Sequence, residues 1–150
     1  MELTSSIKMV FELHPYFDRD LGSEAEGSRA LEKDSPQQGG KFIPHLVDFF
    51  REEESVVKGP VMEQRAAQFK DLTGHRHLEA MLRHQEKIPR EWHGLCLIGP
   101  ETIWVDPDGR RRVMCLCFNG NEWFLTSRML DLIFSAERCR FIHFVKLYAI

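Results

Sequence analysis

The sequence predicts an α+β fold: a mainly antiparallel sheet, with a four-strand meander plus N- and C-terminal strands, packed against a small helical layer. Three observations predict it. Two-residue alternation of apolar and polar side chains marks 7–13 and 141–148 as strands with one buried face. Between 93 and 126, four apolar runs are punctuated by Gly99-Pro100, Asp106-Pro107-Asp108-Gly109 and Asn119-Gly120, the turn chemistry of successive hairpins. From 42 to 86 the apolar residues instead recur at helical spacing.

Taken in order, Ile7, Met9, Phe11 and Leu13 alternate with Lys8 and Glu12 until Pro15 ends the run. Residues 18–40 are rich in Gly, Ser, Asp and Glu. They bury little for the entropy that ordering costs, which predicts a mobile loop with at most a short helix over 24–31. Phe11-Glu12-Leu13-His14-Pro15-Tyr16-Phe17, leading to Leu21, resembles the strand-into-PYF segment of nucleosome-assembly-type histone chaperones. The long dimerisation helix and acidic tail of that family have no counterpart in this sequence, so the resemblance is local and no function is carried over from it.

Residues 42–57 predict a helix, with Pro44 in its first turn and Phe42, Leu46, Phe49 and Phe50 on one stripe. Gly59-Pro60 breaks the chain, and helices over 61–72 and 75–86 follow. The meander is then 93–98, 102–105, 111–118 and 122–126. In its third strand Val113, Cys115 and Cys117 point one way, and Met114, Leu116 and Phe118 the other. A strand apolar on both faces is a central one, covered on both sides. Ser127 is placed to cap a buried helix over 128–136 before the last strand.

Composition narrows the function classes. The 150 residues are 43% hydrophobic and 29% charged, the makeup of one ordinary globular domain spanning 1–150. A net charge of −3 gives no basic footprint over the whole molecule. No run approaches the roughly 18 apolar residues of a membrane span, and no export signal is visible. Four cysteines (Cys96, Cys115, Cys117, Cys139), three of them in apolar strand-like runs, fit reduced thiols in a cytoplasmic compartment.

Each candidate site has a bland competitor. His75, His77 and His84 suggest a metal, but His77 and His84 are two helical turns apart, and His75 with Glu79 lacks a third ligand. A solvated helix face is the simpler reading. His93 and Cys96, three apart on a strand, face opposite ways; Cys115 and Cys117 share a face between apolar neighbours and read as packing. Cys139 between Arg138 and Arg140, with His143 four residues on, is the one arrangement resembling a cysteine nucleophile. Asp106 and Asp108 lie in a turn that they stabilise locally. No metal or cofactor is expected.

The functional expectation is a small non-catalytic protein-binding module: an inhibitor, immunity-type protein, adaptor or assembly subunit. Its contact surface would be the sheet and hairpin carrying Trp104, Asp108, Arg110, Arg111, Arg112 and Trp123, because Trp and Arg dominate interface energetics. The first alternative is nucleic-acid binding, with Arg110–Arg112 on phosphates beside an exposed Trp104 or Trp123. The second is a hydrolase with a Cys/His site. The expected partner is another protein, and no membrane is involved.

Overall fold

The computed structural model describes residues 9–13, 30–34 and 39–147. Within them lie β1 (Phe11–Leu13), β2 (Ala30–Asp34), β3 (Gly40–Val47), β4 (Val56–Lys58), α1 (Gly59–Ala66) and α2 (His75–Arg83). β5 (Cys96–Val105), β6 (Arg111–Phe118), β7 (Trp123–Met129), β8 (Ile133–Ser135) and β9 (Cys139–Leu147) follow. The main sheet runs β1-β3-β9-β5-β6-β7, with β2 also paired to β5, while β4 and β8 form a separate two-stranded sheet. β5 and β9 run parallel. The fold is therefore α+β with a mixed sheet.

The meander has three strands, not four. Gly99-Pro100 does not turn the chain; 96–105 is one strand with a bulge inside it. Ile103 faces Val113 and Gly99 faces Met114, so four steps along β5 match one step along β6. Three extra residues, Pro100-Glu101-Thr102, are accommodated in β5. Gly99, at the start of the bulge, sits under a close approach: a Cβ there would meet Leu78 Cδ1 at 3.0 Å and the Gly74 backbone at 3.1 Å. The glycine lets α2 rest on the sheet.

The helix expected over 42–57 is instead β3, a loop and β4. Phe42 and Pro44 are buried while Lys41 and His45 are exposed, a period of two. A four-residue spacing such as Phe42 to Leu46 satisfies strand and helix alike, which is why it misled. Pro44 lies beyond the three β3 residues that β1 pairs, so its missing N–H costs no bond on that side. The helix expected over 128–136 is also overturned. β7 continues through Ser127 to Met129, and 133–135 pairs with β4. Ala30–Asp34, inside the stretch expected to be a loop, pairs with β5 as β2. Residues 7–8, 14–29, 35–38 and 148 in the remaining expectations lie outside those described.

Gly59-Pro60 opens α1 rather than breaking the chain, with proline in the first turn where its lost N–H has no intrahelical partner. The helices do not form one layer. α2 contributes Leu78, Ala80 and Met81 to a core with Phe42, Leu97, Trp104, Leu116 and Trp123. α1 contributes Met62 and Ala66 to a second core with Ile98, Val113, Cys115, Phe134 and Phe141. These lie on opposite faces of the sheet, and β6 divides its side chains between them as its sequence implied.

Candidate functional site

The hairpin between β5 and β6 is closed by Asp106 and Arg110: Gly109 N–H donates to Asp106 O at 2.9 Å, and Asp106 N–H to Arg110 O at 2.8 Å. Gly109 has φ of 86°, a left-handed conformation that favours glycine. Asp108 and Arg110 project into solvent and pair with each other at 3.4 Å. Arg112 is tied to Asp106 at 2.6 Å. Arg111 is clamped between Glu32 of β2 and Glu63 of α1, with a 2.6 Å contact to each. Arg111 also helps line a cleft of about 300 Å³ with Arg110, Glu63 and Leu130. Two of the three arginines are thus internal ties.

Arg111 joins three elements, so Arg111→Ala should loosen β2 more than the sheet centre. Because the pairs are over a third exposed, solvent screening limits the loss to about 1 kcal/mol. Hydrogen exchange should rise at residues 30–34 and stay unchanged in β6; equal protection in both forms would contradict the tie.

The tryptophans proposed for the surface are inside. Trp104 is 0% and Trp123 3% exposed, so neither can stack on a nucleic-acid base. Trp104 donates its indole N–H to His75 Nδ1 at 3.3 Å. His75 N–H donates to Thr102 Oγ1, and Thr102 donates to Asp34 Oδ1 at 2.8 Å. Burial raises the Asp34 carboxyl against the opposing pull of Thr102 and Arg76. The expected solvated histidine face is likewise corrected, since His75 and His77 are buried; only His84 of the three is exposed. Among the described residues, no three His, Cys, Asp or Glu side chains are grouped to hold a metal ion.

Convergence occurs at the other end of β6. His93 and Phe118 stack face to face with centroids 3.8 Å apart, and Trp123 stands edge-on to both. This stack is a ridge between two clefts. On one side, about 780 Å³ opens among Gln85, Lys87, Arg90, Asn121 and Trp123. On the other, about 260 Å³ opens among Cys96, Cys117, Phe124, Arg128, Ser135 and Arg138.

Behind the second cleft lies a row of thiols. In the register of three neighbouring strands, Cys139 of β9 faces Cys96 of β5, which faces Cys117 of β6. The Sγ atoms of Cys96 and Cys117 are 3.3 Å apart. Cys96, Cys115 and Cys139 are buried, Cys117 is half-buried, and all four are free thiols. Hydrogen bonding to Cys96, helped by Arg128 and Arg138, pulls the Cys117 thiol down; Cys139 is lowered to about 7, again chiefly through Cys96. Cys96 itself is pushed up by the surrounding thiols and by burial.

His93 and Cys96, expected to diverge, line the same cleft, because His93 lies in the turn before β5 rather than on the strand. Cys139 and His143 do not form a couple. Cys139 is buried at the thiol row, whereas His143 Nδ1 bonds Lys70 O at 2.9 Å and the ring lies near His45. Asp106 and Asp108 remain at the far hairpin.

One apolar surface had no signal in the sequence. β4 and β8 bury Val57 and Phe134 but turn Val56 and Ile133 outward, 45% and 54% exposed, beside exposed Leu132. Lys58, opposite Ile133, and Arg128, which donates to Ile133 O, border this patch, as does exposed Asp131. Reading 128–136 as a buried helix concealed it. No family model, curated protein or solved structure matches this chain. No helix among the described residues is long and apolar enough to cross a membrane.

Proposed function

We propose that this chain is a non-catalytic module that binds another protein, and that its contact surface is the outer face of the β4–β8 sheet. The observation carrying this reading is the exposed trio of Val56, Leu132 and Ile133. Large aliphatic side chains gathered on one small sheet and the turn that leads into β8, with a polar rim of Lys58, Arg128 and Asp131, have the makeup of an interface: apolar centre and hydrated border. The partner is a protein surface offering apolar side chains to the centre and both signs of charge to the rim. This moves the contact away from the hairpin, where Arg111 and Arg112 are already engaged and both tryptophans are core.

The test compares proteins captured by the wild-type chain with those captured by Val56→Asp/Ile133→Asp and by Arg110→Ala. A stoichiometric partner held by the wild type should be lost by at least about tenfold with the double aspartate variant, since a carboxylate desolvated at an interface costs more than the 1.4 kcal/mol of one decade. It should be retained by Arg110→Ala. Circular dichroism checks that the variants keep their fold. Retention by the double variant with loss by Arg110→Ala would return the contact to the hairpin and reject this surface.

A further inference from the structure

We propose that Cys117 and Cys96 form a peroxide-sensitive dithiol, in which Cys117 takes the oxidant at the cleft and Cys96 resolves it to a cross-strand disulfide. This inference does not rest on the binding surface proposed above, although Arg128 borders both. Four structural observations support it. The two residues are direct cross-strand partners in β5 and β6. Directly opposed residues have Cα atoms about 4.5–5.5 Å apart, inside the range a disulfide spans. Their sulfurs are already 3.3 Å apart, so bonding requires closing by little more than 1 Å toward the ~2.05 Å of an S–S bond. Finally, Cys117 is half-buried on a cleft of about 260 Å³ that Arg128 and Arg138 also line.

The arginines do two things there. Their charge favours the thiolate, the form that attacks. They also stabilise the hydroxide leaving from the peroxide as its charge develops. Shifts of the thiols run the same way, with Cys117 and Cys139 lowered and Cys96 raised.

With hydrogen peroxide as oxidant the steps balance. The Cys117 thiolate attacks one peroxide oxygen; an S–O bond forms, the O–O bond breaks, and hydroxide leaves to become water with the thiol's proton. Cys96, deprotonated as it attacks, then displaces the sulfenic oxygen. The S–S bond forms, the S–O bond breaks, and the second hydroxide takes up that proton as water. Two thiols are oxidised to one disulfide, and one peroxide is reduced to two waters. Cys139, in register with Cys96 on its other side, is a neighbouring thiol that does not line the cleft, as Cys96 and Cys117 do.

The experiment treats the reduced 150-residue chain with equimolar hydrogen peroxide, counts thiols after denaturation, and maps disulfide-linked peptides without reduction. Two of the four thiols should disappear, with a Cys96–Cys117 peptide pair, about tenfold faster than in the urea-unfolded chain, where proximity is lost. Cys117→Ser should abolish the bridge and Cys115→Ser should leave it. A Cys96–Cys139 bridge, no intramolecular bridge, or equal rates in folded and unfolded chains would each overturn the proposal. The wild-type peptide map decides the matter even where a serine variant fails to fold.

Discussion

Gly59→Ala is expected to remove about 3 to 4 kcal/mol of stability, a large share of the 5–15 kcal/mol typical of a domain. In an ordinary helix position the same change stabilises by about 0.5–1 kcal/mol. Here the sign reverses because of contact. A Cβ at Gly59 would sit 1.5 Å from the carbonyl oxygen of Leu130 and 2.5 Å from its carbon. Backbone atoms cannot rotate aside as a side-chain end would, so the 130–132 segment must be pushed off α1. That strains the bond from Gly59 N–H to Leu132 O, now 3.0 Å, and opens the core around Leu130 and Phe134. Gly94 is the control: nothing lies within 4 Å of its Cβ position, and its backbone needs no positive φ. Gly94→Ala should be neutral or slightly stabilising. Urea midpoints of the two variants compare the cases directly; a Gly59→Ala midpoint equal to wild type would refute the clash.

The second large effect is acid unfolding through His77. The residue is 1% exposed, its ring stacked on Phe144 at 4.5 Å and edge-on to Phe42. Nδ1 accepts the Gly74 N–H at 3.2 Å. Protonation would set a second donor against that N–H and bury a charge. Burial first, then repulsion from Lys146, lowers the imidazole from 6.5 to about 3. A folded-state value below the unfolded one stabilises the neutral form. Its contribution is complete above about pH 6.5 and is lost progressively as pH falls toward 3. The slope approaches about 1.4 kcal/mol per pH unit, summing to several kcal/mol in order of magnitude.

Glu54 overlaps only the lower part of that window. Its bonds to Arg65, then to the Arg51 backbone, hold it at about 2, so its share is lost only below 4.5. His77→Asn keeps an acceptor for Gly74 and removes the titration. Between pH 6.5 and 4.5 the asparagine variant should show a nearly flat stability profile where the wild type declines. Parallel profiles would sink the assignment.

The residues that were legible in sequence are those whose local chemistry has one outcome. Asp106-Pro107-Asp108-Gly109 makes a turn, and the unbroken apolar run of β6 demands cover on both faces. Asn119-Gly120 marked its hairpin, although only Gly120 has positive φ, with Asn119 N–H donating to Glu122 O. What failed was chemistry shared by two outcomes. Phe42, Leu46 and Pro44 suit a helix start and a half-buried strand equally well. Gly99-Pro100 suits a turn as well as a bulge.

The thiol row shows how far one such ambiguity reaches. Extending the hairpin register from Val105 and Arg111 without the bulge would carry Cys96 opposite Gly120, past the end of β6. The three extra residues of the bulge bring it opposite Cys117 instead. No local motif records that slip, because it shows only in how β5 pairs with β6. The outward Val56 and Ile133 were hidden for a related reason: only the pairing of β4 with β8 decides which of their side chains face solvent.

The position of β9 bears on how the protein is made. A chain synthesised from its N-terminus completes β3, β5, β6 and β7 before Cys139–Leu147 emerges, yet β9 is the strand that lies between β3 and β5. Until it arrives, β3 and the Cys96–Ile98 part of β5 present open backbone edges, and no other described strand pairs the β1–β3 unit with the β5–β6–β7 meander. Assembly of the sheet therefore waits on one late nine-residue insertion. The interval before it is when a nascent chain, or one interrupted at the ribosome, is most exposed to mispairing with its neighbours.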